Sequence, residues 1–538
     1  MKKLLTLMLA ALLVFSFVAC GGGNGGTSGA TSGSDASGSD AGGETQVVLG
    51  LVADYFTFDP AYVYEKTAHM IMPVLYDTLV KFDENATGGI APNFASEWTI
   101  SDDNLTYVFT LREDVVATTG KTLNAADVEF CLNRMINLGD NPSELAKDVE
   151  SVVATGDFEV TLTLKEVSPA ILSKMAETAF GVYDSEAAQE NGATGDAATD
   201  TAQSFFDGQS IGSGPYILDS FVPNEQLVLK KNPNYWGTPA NVDTIILKHI
   251  NDPSMQMMSL ERGDIDIAFD LTAVQIESLD ESNVSVYTFP TLDIFFFSMN
   301  MDPTVGGPFA DQKVREAVYY ALDYEGLCEI AGNGAKTPYN IIQNGFAGYL
   351  GESPITRDLD KARELLAEAG YADGFTFECG VIPDMAPSGV AFMDCAVKIK
   401  ADLEEIGLVM EIAPDEVSIY LDKMRGAQYQ TCRNMWGPDY ADPDNQLSFM
   451  PGQNSGLRNS WTTDMAPELA ELCTQAQQET DPEAREALFE EIQRQYTEAA
   501  GPALVFLQVY RALPCSTRLA NVEYTATQMV NLAALSVQ

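Results

Sequence analysis

The sequence predicts an α/β protein of two to four lobes or domains. Three observations carry that expectation. Helix-periodic segments alternate with short β-branched runs through most of the 538 residues. One stretch, 375–435, reads strand, helix, strand, helix, strand, which implies a parallel sheet. A 46% share of hydrophobic residues in so long a chain can bury a sizeable core.

The amino terminus reads as an address rather than as fold. Lys2 and Lys3 form a positive start, and Leu4 to Val18 is an apolar run too short to span a bilayer comfortably. Phe17-Val18-Ala19-Cys20 closes it and resembles the bacterial lipobox, whose cysteine is lipidated and becomes the new N-terminus. Phe17 stands where that motif usually has leucine. Residues 21–46 hold ten glycines and no large apolar side chain. They read as a flexible Gly/Ser linker with a mean span of roughly 25–30 Å.

Beyond residue 46, strands are expected at Leu105 to Leu111, Glu159 to Leu164, Gln226 to Leu229, Thr244 to Lys248, Ile294 to Met299 and Ala503 to Tyr510. Four helices follow from apolar stripes at helical spacing. Asp311 to Leu322 aligns Val314, Ala317, Val318 and Ala321. Asp358 to Ala369 aligns Ala362, Leu365, Leu366 and Ala369, with Gly370 as its stop. Phe392 to Ile406 aligns Cys395, Ala396, Ile399, Leu403 and Ile406; Asp481 to Ala499 aligns Ala484, Leu488, Ile492 and Tyr496. The small polar segment 185–203 reads as an exposed loop. In the 375–435 unit the strands are Phe375 to Ile382, Leu408 to Ile412 and Tyr429 to Met435, with helices at 392–406 and Val417 to Arg425. Ligands of such sheets sit beyond the carboxyl ends of the strands, so Trp436 to Asp444 is a candidate site.

Composition narrows the function. With 30 Lys+Arg against 78 Asp+Glu, the net charge is −48. Such a chain repels phosphate backbones and anionic membrane surfaces, so no nucleic-acid partner is expected. Cys131, Cys328, Cys379, Cys395, Cys432, Cys473 and Cys515 are odd in number and show no CxxC spacing, which argues against a disulfide scaffold or a zinc ribbon. His69 and His249 are too few and too far apart for a histidine metal site or catalytic dyad; both read as core or surface residues. There is no HExxH. Gly120-Lys121-Thr122 and Gly332 to Thr337 each lack a glycine that a phosphate loop needs. Asp439, Asp442 and Asp444 lack the order of a calcium loop. The chain is therefore expected not to be an enzyme, and no cofactor or metal is expected.

A series of short motifs then carries a resemblance. Phe58-Asp59-Pro60-Ala61 is followed by Leu75-Tyr76-Asp77-Thr78-Leu79-Val80, Ala91-Pro92-Asn93-Phe94-Ala95-Ser96-Glu97-Trp98 and Ala125-Ala126-Asp127-Val128. Gly212-Ser213-Gly214-Pro215-Tyr216, Asn232-Pro233-Asn234-Tyr235-Trp236, Gly263-Asp264-Ile265-Asp266, Lys313-Val314-Arg315-Glu316-Ala317 and the run Ala362 to Gly370 continue it. In this order and spacing they resemble the family 5 extracellular solute-binding proteins of ATP-driven (ABC) importers, which include oligopeptide, dipeptide and nickel binders. One element departs: Ala117-Thr118-Thr119-Gly120 replaces the family's aromatic-His-Asp-Gly run, and reads as a turn entering a helix.

The resemblance implies a two-lobed periplasmic-binding-protein-like fold, type II, of the large cluster with an extra subdomain, hinged between the lobes. One lobe would comprise 47–292 plus 500–538, with a subdomain at about 88–210; the other would comprise 293–499. It implies capture of di- or oligopeptides in the interlobe cleft and delivery to a permease with its cytoplasmic ATPase. The protein would be a monomer outside the cytoplasm, anchored to the cell membrane through lipidated Cys20, on the periplasmic face where there are two membranes. In Trp436-Gly437-Pro438-Asp439-Tyr440-Ala441-Asp442-Pro443, the acid matching Asp439 holds a peptide's α-ammonium in relatives. A donor-only cation needs such an acceptor, and the bond contributes about 1.5–3 kcal/mol. The alternative for Asp439 is a turn residue capping its own backbone. Trp436 and Tyr440 would line the ligand. Arg433 and Arg425 fall near positions where relatives hold the ligand carboxylate. An oligosaccharide-type solute and a cleft-based sensor remain the alternatives; Asp439 favours a peptide over a sugar, and two histidines disfavour nickel or haem.

Overall fold

The computed structural model describes residues 44–538 except 54, 56, 66, 84–88, 281, 384 and 526–528. The predicted leader, lipidation at Cys20 and nearly all of the predicted linker lie outside the described residues. The folded body begins at Glu44, and Gln46 is already in a strand.

Among the described residues a ten-stranded mixed sheet organises the molecule. Its strands, in chain order, are β1 (Gln46–Leu51), β2 (Tyr216–Val222), β3 (Gln226–Lys231), β4 (Thr244–His249), β5 (Ile267–Ala268), β6 (Val284–Met299), β7 (Phe375–Val381), β8 (Leu408–Pro414), β9 (Thr431–Trp436) and β10 (Ala503–Ser516). Across the sheet they run β8-β7-β9-β6-β10-β5-β1-β4-β3-β2. The predicted parallel unit is present: β7 pairs parallel with both β8 and β9, with helices α1 (Phe392–Glu404) and α2 (Val417–Arg425) as crossovers. β1 pairs parallel with β4 and β5.

The paired strands β6 and β10 are far longer than their sequences suggest. Expected at 294–299 and 503–510, they span 284–299 and 503–516. In β6, Pro290 weakens the strand signal, since proline cannot donate to a ladder. Here it sits where the register shifts between Pro290 and Ile294, as in a bulge. On one side of that shift β6 alternates half-buried and exposed residues from Ser285 to Pro290. On the other, every residue from Thr291 to Met299 is buried. Odd positions Phe295, Phe297 and Met299 enter one core; Leu292, Ile294 and Phe296 enter another on the opposite face. A third, larger core is built from residues 47–269 and 513–535 together with Tyr440. The two long strands therefore run from one packed body into the other.

The helical expectations hold at three ends for a shared reason. Asp311, Asp358 and Asp481 each accept a backbone N–H of the first turn, starting Gln312–Ala321, Leu359–Glu368 and Pro482–Glu498. The stripe of the last helix is rotated from the reading: Ala484 is exposed, and Phe489, Ile492, Gln493 and Tyr496 face inward. The segment 185–203 is not simply an exposed loop, and it opens with the short helix Ser185–Glu190. Ala188, Ala193 and Ala202 are buried, and Asp200 binds Arg134 at 2.7 and 2.9 Å while Asp59 takes two more bonds at 2.7 Å.

Several recognition motifs prove to be one structural knot. Asp77 is buried and accepts Ser213 Oγ–H and Trp236 Nε1–H at 2.8 Å and Asn93 Nδ2–H at 3.2 Å. Burial pushes its carboxyl above the usual range, against those three donors. Four separated motifs thus converge on one acid. Gly214 must be glycine, because a Cβ there would lie 2.3 Å from the Val74 carbonyl oxygen. Asp266 accepts the Val48 N–H and pairs with Arg518, fastening the C-terminal segment to β1.

Candidate functional site

β9 delivers residues 437–445 beyond its carboxyl end, and the acids of this loop have separate tasks. Asp442 accepts the Asp444 N–H at 2.9 Å and takes Arg485 bidentately at 2.7 and 2.9 Å. It is therefore Asp442 that caps the turn. Asp444 accepts the Tyr440 hydroxyl at 2.8 Å and lies 3.9 Å from Lys174 Nζ. The acids diverge rather than surround a cation.

Asp439 is the one that faces outward from the turn. Its N–H donates to Asn445 Oδ1 at 3.1 Å, which orients the residue. Its carboxylate accepts the Tyr64 hydroxyl at 2.9 Å and, weakly, Asn445 Nδ2–H at 3.5 Å. Both donors are neutral, so its charge is not cancelled by an ion pair among the described residues. Burial, then Asp439, holds the Tyr64 phenol above its ordinary value.

Behind this pair lies a small recess. Asp439, Tyr64, His69, Glu177 and Thr178 supply its polar lining, and Val63, Pro142, Leu145 and Ala179 supply apolar wall. Glu177 is fully buried, and among the described residues neither of its oxygens has a hydrogen-bond partner. His69 Nδ1 lies 3.4 Å from Oε2. Burial raises the Glu177 carboxyl; His69 opposes the rise and Asp439 adds to it.

A positive element stands near the same place. Arg458 follows the short helix Asn454–Leu457 and is half-buried, and among the described residues its guanidinium makes no ion pair or hydrogen bond. Burial and then repulsion from Arg425 lower its affinity for the proton, while Tyr64 and Asp439 attract it. Arg425, at the exposed end of α2, also acts on Tyr64. An acid with neutral partners and two arginines therefore lie within electrostatic reach of one another.

The remaining predicted residues divide. Trp436 packs edge-on against Phe449 with centroids 5.7 Å apart, and its Nε1–H is enclosed without an acceptor. Tyr440 is buried in the large core, with Lys174 Nζ 5.3 Å from its ring centroid. Arg433 is not brought to Asp439. It is wholly enclosed, with its guanidinium 3.6 Å from the Phe392 centroid and 4.4 Å from that of Phe295. Its nitrogens find no oxygen acceptor. Burial lowers its pKa to about 10, with the Cys395 sulfur opposing.

Tyr64, His69, Glu177 and Arg458 were not among the predicted site residues. Arg458 carried a usable signal, being one of only 30 basic residues and close in sequence to the candidate loop. Glu177 carried none, as one of 78 acids. Gly208-Gln209-Ser210-Ile211-Gly212 spells the nucleophile-elbow pattern of hydrolases. Ser210 is buried, however, and its hydroxyl oxygen accepts the Leu218 N–H at 3.0 Å, so it braces β2.

Comparison with known proteins fits this architecture. The family model for bacterial extracellular solute-binding proteins, family 5 (middle part), matches residues 89–456. The chain is similar to the "Probable D,D-dipeptide-binding periplasmic protein DdpA" of Escherichia coli, 25% identical over 481 residues, covering 86% of this chain and 89% of that protein. It is also similar to heme-binding protein A of Haemophilus influenzae, 27% identical over 431 residues, covering 75% and 76%. Among solved structures, the ABC transporter-associated periplasmic binding protein DppA from Helicobacter pylori, in complex with the peptide STSA, superposes with a TM-score of 0.76 at 23% identity, over 91% of this chain and 98% of that one. The fold is thus that of the two-lobed periplasmic binding proteins, and this chain belongs to the family 5 bacterial extracellular solute-binding proteins.

Proposed function

We infer that this protein captures short peptides and hands them to an ABC permease powered by a cytoplasmic ATPase. The observation that carries the reading is Asp439: a carboxylate at the end of β9, bonded only to neutral donors, bordering a recess. A free α-ammonium is the natural complement of such a group. Arg458 and Arg425, in electrostatic reach, suit the opposite charge of a zwitterion. The similarity to the probable D,D-dipeptide-binding protein of Escherichia coli supports the same reading.

In this reading 47–292 with 500–538 forms one lobe and 293–499 the other. The lobes close by rotation about β6 and β10, in the manner of hinged binding proteins. Trp436 borders the ligand, and Tyr440 locks the loop to the first lobe. Cys20 carries the lipid anchor, and the monomeric protein works at the outer face of the cell membrane.

Titration calorimetry with alanyl-alanine and N-acetyl-alanyl-alanine tests this. The native protein is expected to bind the free dipeptide about 10–100-fold more tightly. Asp439→Asn should weaken the free form and bring the two together. Equal affinity of the native protein for both peptides would remove Asp439 from the role.

A further inference from the structure

Buried acids in this protein have a consistent habit, and one breaks it. Asp59 is matched by Arg134, Asp148 by Lys174 at 2.6 Å, Asp402 by Lys398 at 2.6 Å, and Asp266 by Arg518. Asp77 has its three donors. Glu177 is as deeply buried as any of these, yet both of its oxygens lack a hydrogen bond. A buried carboxylate left in this state destabilises the fold unless something else pairs with it. Glu177 also lines the recess that Asp439 and Tyr64 border.

We propose that Glu177 receives a second positive charge of the ligand, the ammonium or guanidinium of a basic side chain on the peptide's first residue. This rests on the peptide reading, with the α-ammonium at Asp439. The recess holds about 20 Å³ as it stands, so its apolar wall of Val63, Pro142, Leu145 and Ala179 must move outward to admit a methylene stem, which Lys and Arg bury while the charged head seeks an acceptor. The His69 contact, at 3.4 Å to Oε2, leaves Oε1 for the incoming donor. Two acids of one recess then meet two charges of one residue: Asp439 the main-chain amine, Glu177 the side-chain cation. The proposal sets a preference within the peptide class, for a basic residue at the amino end.

Calorimetry on the native protein with lysyl-alanine and norleucyl-alanine provides the test. The two share a stem and differ in one terminal charge. Lysyl-alanine should bind at least about tenfold more tightly. Glu177→Gln should reduce that ratio to within about threefold, chiefly by weakening lysyl-alanine. A native protein that binds norleucyl-alanine as well as or better than lysyl-alanine overturns the proposal while leaving the peptide reading intact. A ratio that survives Glu177→Gln overturns it too. If neither dipeptide binds, the peptide reading fails and takes this proposal with it. Should Glu177→Gln not fold, the comparison on the native protein decides alone.

Discussion

Replacing Arg433 by methionine should make this protein more stable. Methionine is comparable in length, unbranched, and packs well against aromatic rings, so it suits the slot between Phe295 and Phe392. The guanidinium there gains from the ring faces but has no oxygen acceptor among the described residues, and burial lowers its pKa to about 10, well below the ordinary guanidinium value. At about 1.4 kcal/mol per pH unit, keeping it charged costs roughly 3 kcal/mol. Burial dominates that figure, in line with the finding that buried charges are often replaced by apolar side chains at a gain of about 1–4 kcal/mol. A body of this size unfolds with an entropy of about 1 kcal/mol per kelvin, so Arg433→Met should raise the thermal midpoint by about 1–3 °C. The pH dependence has a definite sign. The folded-state pKa lies below the unfolded value, so below about pH 10 both states bind the proton and the wild type carries the full cost. Above it the native state releases the proton, and the advantage of the variant shrinks toward pH 12.5. Scanning calorimetry at pH 7.5 and 10.5, with dipeptide titration at pH 7.5, reads all of this. A fall in midpoint, or lost dipeptide affinity at unchanged stability, would show that Arg433 has a polar partner and refute the argument.

Arg458→Ala should weaken alanyl-alanine about tenfold and leave its C-terminal amide unaffected, because only the carboxylate needs a cation; equal losses for both in calorimetry would deny it a carboxylate role. Gly214→Ala should cost on the order of 3 kcal/mol or more or prevent folding, since the new methyl would meet the Val74 carbonyl at 2.3 Å; Gly263→Ala, at φ +76° with open space around it, should cost about 1 kcal/mol. Thermal melts of the two variants compare them, and a mild Gly214→Ala would contradict the packing argument. Glu177 titrates above its ordinary 4.5, so the stability associated with its neutral form is present at acid pH and is lost as pH rises through the raised value. Urea midpoints at pH 4.5 and 7.5 should show Glu177→Gln gaining on the wild type with rising pH; a constant gap would mean that the carboxyl is not desolvated.

How much was legible depended on whether the signal was local. The aspartate caps at 311, 358 and 481 and the apolar stripes are properties of neighbouring residues, and those helices appear where expected. The β7-α1-β8-α2-β9 unit was readable for the same reason, and its order alone placed the candidate loop at the carboxyl end of β9. The length of β6 was hidden because Pro290 argues against a strand unless a register shift accommodates it, and only the partner strand β10 reveals one.

The sequence by itself determined the class of fold and the candidate loop at a strand end, which follow from spacing along the chain; the family and the choice of Asp439 followed from motifs that resemble those of known relatives. Only the tertiary structure decided which groups share the recess with it. Tyr64, His69 and Glu177 come from distant segments, and nothing local distinguishes Glu177 from the other acids. The same limit applied to Arg433. On a strand covered on both faces, alternation says which residues point together but not which face meets a core, and here the core took the arginine.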